Sequence, residues 1–181
     1  MTPRAPQLSF TTHLQSLKPP WTVLLVLQAG QRAESVVRTP DKFVVRVIRG
    51  RRCRRAGELF AEIAETLEFP DYFGHNWDAL EECLTDLEWL SGRGYVLLFT
   101  DAELILSDEE DEFATFLEVL NDAGEAWASG EAEPQGDGAK PFHSLLTVAE
   151  RNKSKRAHWG IPQIAAPLPR SGRKRSSSHP R

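Results

Sequence analysis

Four short apolar runs, separated by stretches of helical periodicity, restrict this chain to few architectures. They are Trp21 to Leu27, Phe43 to Gly50, Tyr95 to Thr100 and Phe142 to Val148. Trp21 to Leu27, continuously apolar with β-branched residues, has the pattern of a buried strand, and the other three read as further strands. Between the second and third runs, Leu59, Phe60, Ile63, Ala64 and Leu67 recur at steps of three and four and predict a helix over 57–68, ended by Pro70. Trp77, Leu80, Leu84 and Leu87 repeat the pattern over 76–89. Phe113, Phe116, Leu117, Leu120 and Trp127 do so again, behind Ser107 and Glu110 at capping-box spacing. Gln28 to Thr39 is a connection with room for one short helix, and residues 130–141 form a Gly/Pro/acid loop. Strands that alternate with helices indicate an α/β layered domain with a small, mainly parallel sheet.

At 181 residues the chain suits one domain with extensions. The formal net charge of −4 conceals a strong asymmetry. Residues 43–150 carry 24 acids against 8 bases, a net of −16, whereas 151–181 carry 9 bases and no acid. A strongly acidic globular part favours capture of a cationic protein and argues against nucleic acid as its main ligand, apart from weak binding through the tail. Cys53 and Cys83 form neither a metal pattern nor a disulfide framework, and Cys83, beside an apolar stripe, reads as a small core residue. No metal or other cofactor is expected. The N-terminus lacks the basic-then-apolar pattern of a signal peptide, and the 21–27 run is too short to span a bilayer. A reduced, cytoplasmic, monomeric protein is the expectation.

The chemistry concentrates in residues 69–84. An aromatic loop, Phe69-Pro70-Asp71-Tyr72-Phe73-Gly74-His75-Asn76, runs into the helix whose apolar stripe begins at Trp77. Opposite that stripe fall Asp78, Glu81, Glu82 and Thr85. Asp78 and Glu82, four apart, repel one another, and no base follows within the helix to neutralise them. Acids on a helix are most often a solvated face. Exposed aromatics beside them suggest instead a surface for a basic partner.

The fifteen residues from Pro70 to Leu84 closely resemble the signature of the barstar family, intracellular inhibitors of the ribonuclease barnase. That signature runs roughly Pro-acid-Tyr-aromatic-Gly-x-Asn-apolar-Asp-Ala-Leu-x-acid-Cys-Leu. The resemblance extends more loosely from about Phe43 to Val148. It implies a small three-stranded parallel sheet packed with helices. Together with composition, which makes the proline-rich 1–20 a flexible arm and the basic, Ser/Pro-rich 150–181 a disordered tail, it leaves an added strand and connection at 21–42 and a barstar-like domain at 43–149.

The resemblance also implies a function, inhibition of a barnase-type ribonuclease. In this family a loop and an acidic helix enter the ribonuclease active site, where carboxylates stand in for substrate phosphates. Carried over by position, Asp78 matches the first key aspartate and Glu82 the second, now as a glutamate. Tyr72 matches a contact tyrosine, Phe73, Gly74 and Asn76 belong to the loop, and Asp122 falls where a contact glutamate stands. Glu81 replaces a tryptophan and His75 a glutamate. Those departures keep open an immunity or interaction module of the same fold that binds another cationic toxin or basic protein. Paired carboxylates four apart could also suggest a glycosidase, but such pairs normally flank a cleft from separate elements, so no enzyme is expected. The basic tail could fold back on the acidic domain and compete with the partner.

Overall fold

The computed structural model describes residues 10–132, 138–152 and 159–167. Five parallel strands form one sheet in the order β2-β3-β4-β1-β5: β1 (Thr22–Leu27), β2 (Phe43–Arg49), β3 (Gly94–Thr100), β4 (Phe142–Ala149) and β5 (Gln163–Ala165). In register, Val47 of β2 lies beside Leu98 of β3, Leu98 beside Leu145 of β4, and Leu145 beside Val23 of β1. The apolar runs are strands because β3, β4 and β1 are covered from both sides.

One face carries Leu24, Val26, Ile48, Leu97, Phe99, Leu146 and Val148. Three helices pack there: α3 (Ala56–Leu67), α4 (Trp77–Asp86) and α5 (Phe113–Ser129). Helices α4 and α5 lie side by side and run the same way. Near their starts the Trp77 and Phe116 rings are 6.3 Å apart, and near their ends Trp127 Nε1 donates to the Leu84 carbonyl at 2.8 Å.

The opposite face carries Val23, Val96, Leu98 and Leu145. Its cover departs from the sequence expectation. Residues 10–20, expected as part of a loose arm, include a short helix α1 (Phe10–Leu14) whose Leu14 is fully buried against these strands. A second short helix, α2 (Ala33–Val36), adds Ala33 and Val36. A parallel sheet needs apolar cover on both faces, and a five-residue helix is too short to show a periodic stripe in sequence. Residues 1–9 of the expected arm lie outside the described residues.

The tail expectation changes at one place as well. Gln163–Ala165 pairs with β1, and Trp159 stacks on Phe113 with ring centroids 4.2 Å apart. The apolar content of this stretch, low as it is, suffices to dock it. Residues 153–158 and 168–181 of the expected tail are outside the described residues.

The capping box expected at Ser107 does not form, since α5 begins at Phe113 and Ser107 Oγ donates to Asp108 instead. The acids that follow Ser107 serve other elements. Asp108 holds Arg54 at 2.6 Å, and Glu109 Oε2 accepts the Ala56 amide at 2.7 Å, satisfying one free N–H at the start of α3. Glu112 Oε2 accepts Trp77 Nε1 at 2.7 Å. The helical start comes later instead, as a 3-10 turn at Glu110–Glu112 that leads directly into α5.

Four arginines cluster just after β2, at 51, 52, 54 and 55, and they too are spent internally. Arg51 pairs with Asp101, Arg52 with the buried Glu62 and with Glu65, and Arg54 and Arg55 with Asp108. The Arg54 hydrogen bond holds the Asp108 carboxyl below its ordinary range.

Candidate functional site

The aromatic loop is built from the inside out. Phe73 is buried at 6% exposure, edge-on to Phe60 and Phe69 at 6.4 and 5.0 Å. Of the residues expected to meet a partner, it is the one the structure turns into the core, where it fixes the loop. Beside it Tyr72 points outward at 69% exposure. Gly74 permits a close approach: a Cβ there would come within 3.1 Å of Asn76 Nδ2 and 3.4 Å of the Ala79 Cβ. His75 takes a left-handed backbone (φ 50°), and Asn76 then caps α4, its Oδ1 accepting the Ala79 amide at 2.9 Å.

Helix α4 follows as a rigid base with a charged outer side. Leu80, Cys83 and Leu84 are buried, and Trp77 is wedged between Phe60 and Phe116. Asp78, Glu81 and Glu82 are exposed. None of their carboxylates has a hydrogen bond or ion pair among the described residues, in contrast to Asp108, Glu109 and Glu112. Three of the five acids in the run before α5 are thus committed to internal partners, whereas those three on α4 are not.

Tyr72 closes one side of this surface. Desolvation, followed by the charges of Asp86, Cys83, Glu88 and Glu82, raises its phenol above the ordinary value. Asp86 and Glu88 thus stand beside the site although neither was among the expected residues. The signal was present for Asp86, which continues the Asp78–Glu82 spacing by another four. Asp122 is exposed on the neighbouring α5, and no hydrogen bond or ion pair among the described residues links it to the acids of α4.

Nucleophilic chemistry finds no support in the thiols. Burial, with Glu62 and Glu58 nearby, pushes Cys53 up to about 12, and burial with Glu82 and Asp86 pushes Cys83 up to about 11. Both remain protonated thiols near neutral pH. Among the described residues no group of three or more His, Cys, Asp or Glu could hold a metal ion, and no helix is long and apolar enough to cross a membrane.

A comparison with protein-family models matches residues 43–146 to a family described as Barstar (barnase inhibitor). The matched segment runs from β2 into β4 and contains the aromatic loop, α4 and α5. It leaves out β1, β5 and both short helices of the second face. No curated protein matches the chain.

Proposed function

The chain belongs to the Barstar (barnase inhibitor) family, and from that premise we propose that it blocks the cationic active site of a barnase-type ribonuclease with α4 and the 69–76 loop. One observation carries this reading: Asp78, Glu81 and Glu82 present carboxylates without partners among the described residues on a well-packed helix, beside the exposed ring of Tyr72. A ribonuclease holds a phosphodiester with Arg, Lys and His, and fixed carboxylates can occupy the same groups through charge-assisted hydrogen bonds. The helix matters because its backbone is already ordered, so that binding need immobilise only the acidic side chains. Tyr72 adds apolar contact at little conformational cost. Gly74 and Asn76 act indirectly, Gly74 by permitting the close turn of the loop and Asn76 by capping α4 with its side chain. Asp122 would extend the contact onto α5.

The partner class is a basic ribonuclease of secreted type, and the inhibitor would act in the cytoplasm as an immunity protein of its producer. The test is titration of a barnase-type ribonuclease cleaving RNA. Inhibition that completes at one-to-one stoichiometry, and is lost with Asp78→Ala/Glu82→Ala, is the expected result. No inhibition at micromolar excess would rule out that partner. The glutamates at 81 and 82 and His75 favour a second reading, in which the same surface binds a different cationic protein. Its sign would be a basic protein recovered from lysate by the wild-type chain and lost by the double variant, without ribonuclease activity.

A further inference from the structure

A crevice with no α4 residue in its lining opens at the carboxyl ends of the parallel strands. It encloses about 700 Å³ and is lined by the residues that follow β1, β2, β3 and β4. The cause is topological. After β1 the chain turns toward the second face, where Ala33 and Val36 pack. After β3 and β4 it turns toward the first, where Ala102 and Trp159 pack. Neighbouring strands β1 and β4 therefore send their loops apart, and in open parallel sheets this divergence is where ligands bind. The volume falls in the roughly 300–1,000 Å³ range of small-molecule sites. Most of the crevice comes from residues 27–34, 147 and 149–151, outside the family segment, so it depends on this chain's added strand β1 and on the end of β4.

The lining sorts by chemistry. Arg51 is paired with Asp101 at 3.0 Å. Arg32 and Arg151 are exposed at the crevice and have no carboxylate partner among the described residues. Glu34 and Glu150, with the amide of Gln28, supply acceptors and a donor around them, Gln28 Nε2 reaching Glu150 at 3.4 Å. Unpaired guanidiniums suit a phosphate, which they can hold bidentately. The carboxylates beside them would repel a bare polyanion and instead suit the hydroxyl or amino donors of a larger molecule.

We propose that this crevice binds a nucleotide-sized phosphate ester, with Arg32 and Arg151 on the phosphate and Glu34 and Glu150 on its hydroxyl or amino groups. The site is separate from α4 and does not rest on the ribonuclease reading. The experiment is calorimetric titration of the full chain with adenosine 5′-monophosphate, inorganic phosphate and adenosine. Saturable one-to-one binding of the nucleotide is expected, at least about tenfold tighter than either fragment. Arg32→Ala/Arg151→Ala, two exposed substitutions, should weaken it by about tenfold or more with an unchanged thermal midpoint. Lys42→Ala/Arg93→Ala, at the amino ends of the strands, should leave it unchanged. The proposal is overturned by absence of saturation at about 5 mM nucleotide, by phosphate binding as tightly as the nucleotide, or by equal affinities for the wild type and the Arg32/Arg151 variant. A loss caused equally by the Lys42/Arg93 variant overturns it too, because only general charge would then be at work.

Discussion

Side chains that share one loop and one helix turn here divide between holding the fold and meeting a partner, and the division is measurable. Asn76 satisfies an α4 amide with its side chain, so Asn76→Ala should lower unfolding free energy by about 1 kcal/mol in urea. Asp78 is exposed and has no hydrogen bond or ion pair among the described residues, so Asp78→Ala should leave that free energy within about 0.5 kcal/mol. Against the proposed ribonuclease the order reverses. Removing one partner of a desolvated charge pair typically costs about 2–5 kcal/mol, and Asp78→Ala and Glu82→Ala should each fall there by calorimetry. Losses under about 1 kcal/mol at both would move the contact off α4. Much of this is legible in the sequence, since the apolar spacing from Trp77 puts Asp78, Glu81 and Glu82 outward. What spacing could not reveal was which acids are free. The run from Asp108 to Glu112 is denser in charge, yet Asp108, Glu109 and Glu112 are tied to Arg54, the Ala56 amide and Trp77. Sequence supplies the charges; only the three-dimensional pairing shows which of them remain for a partner.

Elements outside the family segment complete the sheet, and two close contacts show how. Gly124 lies where α5 crosses the start of β1, and a Cβ there would overlap the Cβ and ring of Trp21. Gly→Ala within an exposed helix ordinarily gains roughly 0.5–1 kcal/mol, whereas overpacking costs about 1–3. The clash should win, and Gly124→Ala should lower the thermal midpoint; a raised midpoint would mean that Trp21 moves aside freely. On the other face His143 of β4 is fully buried, its ring 4.8 Å from His13 of α1 and its Nε2 3.0 Å from the Ser16 carbonyl. Burial, then the neighbouring His13, lowers its pKa to about 4. Because this lies below the unfolded value of about 6.5, the unfolded chain binds the proton more readily. The contribution to stability is therefore complete above pH 6.5 and lost as pH falls toward 4. About 2–3 kcal/mol should disappear between pH 7 and 4.5 beyond any loss in His143→Asn, and parallel urea-derived profiles for the two would exclude the pair as the cause. The strands themselves were readable from their apolar runs, as were α3 and α4 from their periodicity. The short α1 and β5 were not, because one buried Leu14 or one three-residue pairing leaves no periodic trace.

Charge is the property of the whole molecule that bears on how fast a partner arrives. The acids of 43–150 would draw in a cationic protein, and the C-terminal bases oppose them. Docking of Trp159 and pairing of β5 fix where a fair truncation can be made. Cutting at residue 150 would strip an aromatic partner from Phe113 and a strand from β1, and any effect on binding would be confounded by lost stability. Cutting after Pro167 removes Arg170, Arg173, Lys174, Arg175 and Arg181 and no acid, taking the formal net charge from −4 to −9 while leaving the described fold whole. Whether those bases cover the acidic surface or only weaken the field around it, their removal should speed association with a cationic ribonuclease. The increase should be severalfold at about 20 mM salt and should fade by about 0.5 M, where the screening length is a few ångströms. Dissociation should change little if the tail makes no contact in the complex, because long-range charge acts mainly on encounter. Stopped-flow association at both salts separates the cases. Equal on-rates for the full and shortened chains at low salt would mean that the tail leaves the acidic surface undisturbed, whereas an acceleration that survives high salt would point to steric cover instead of charge.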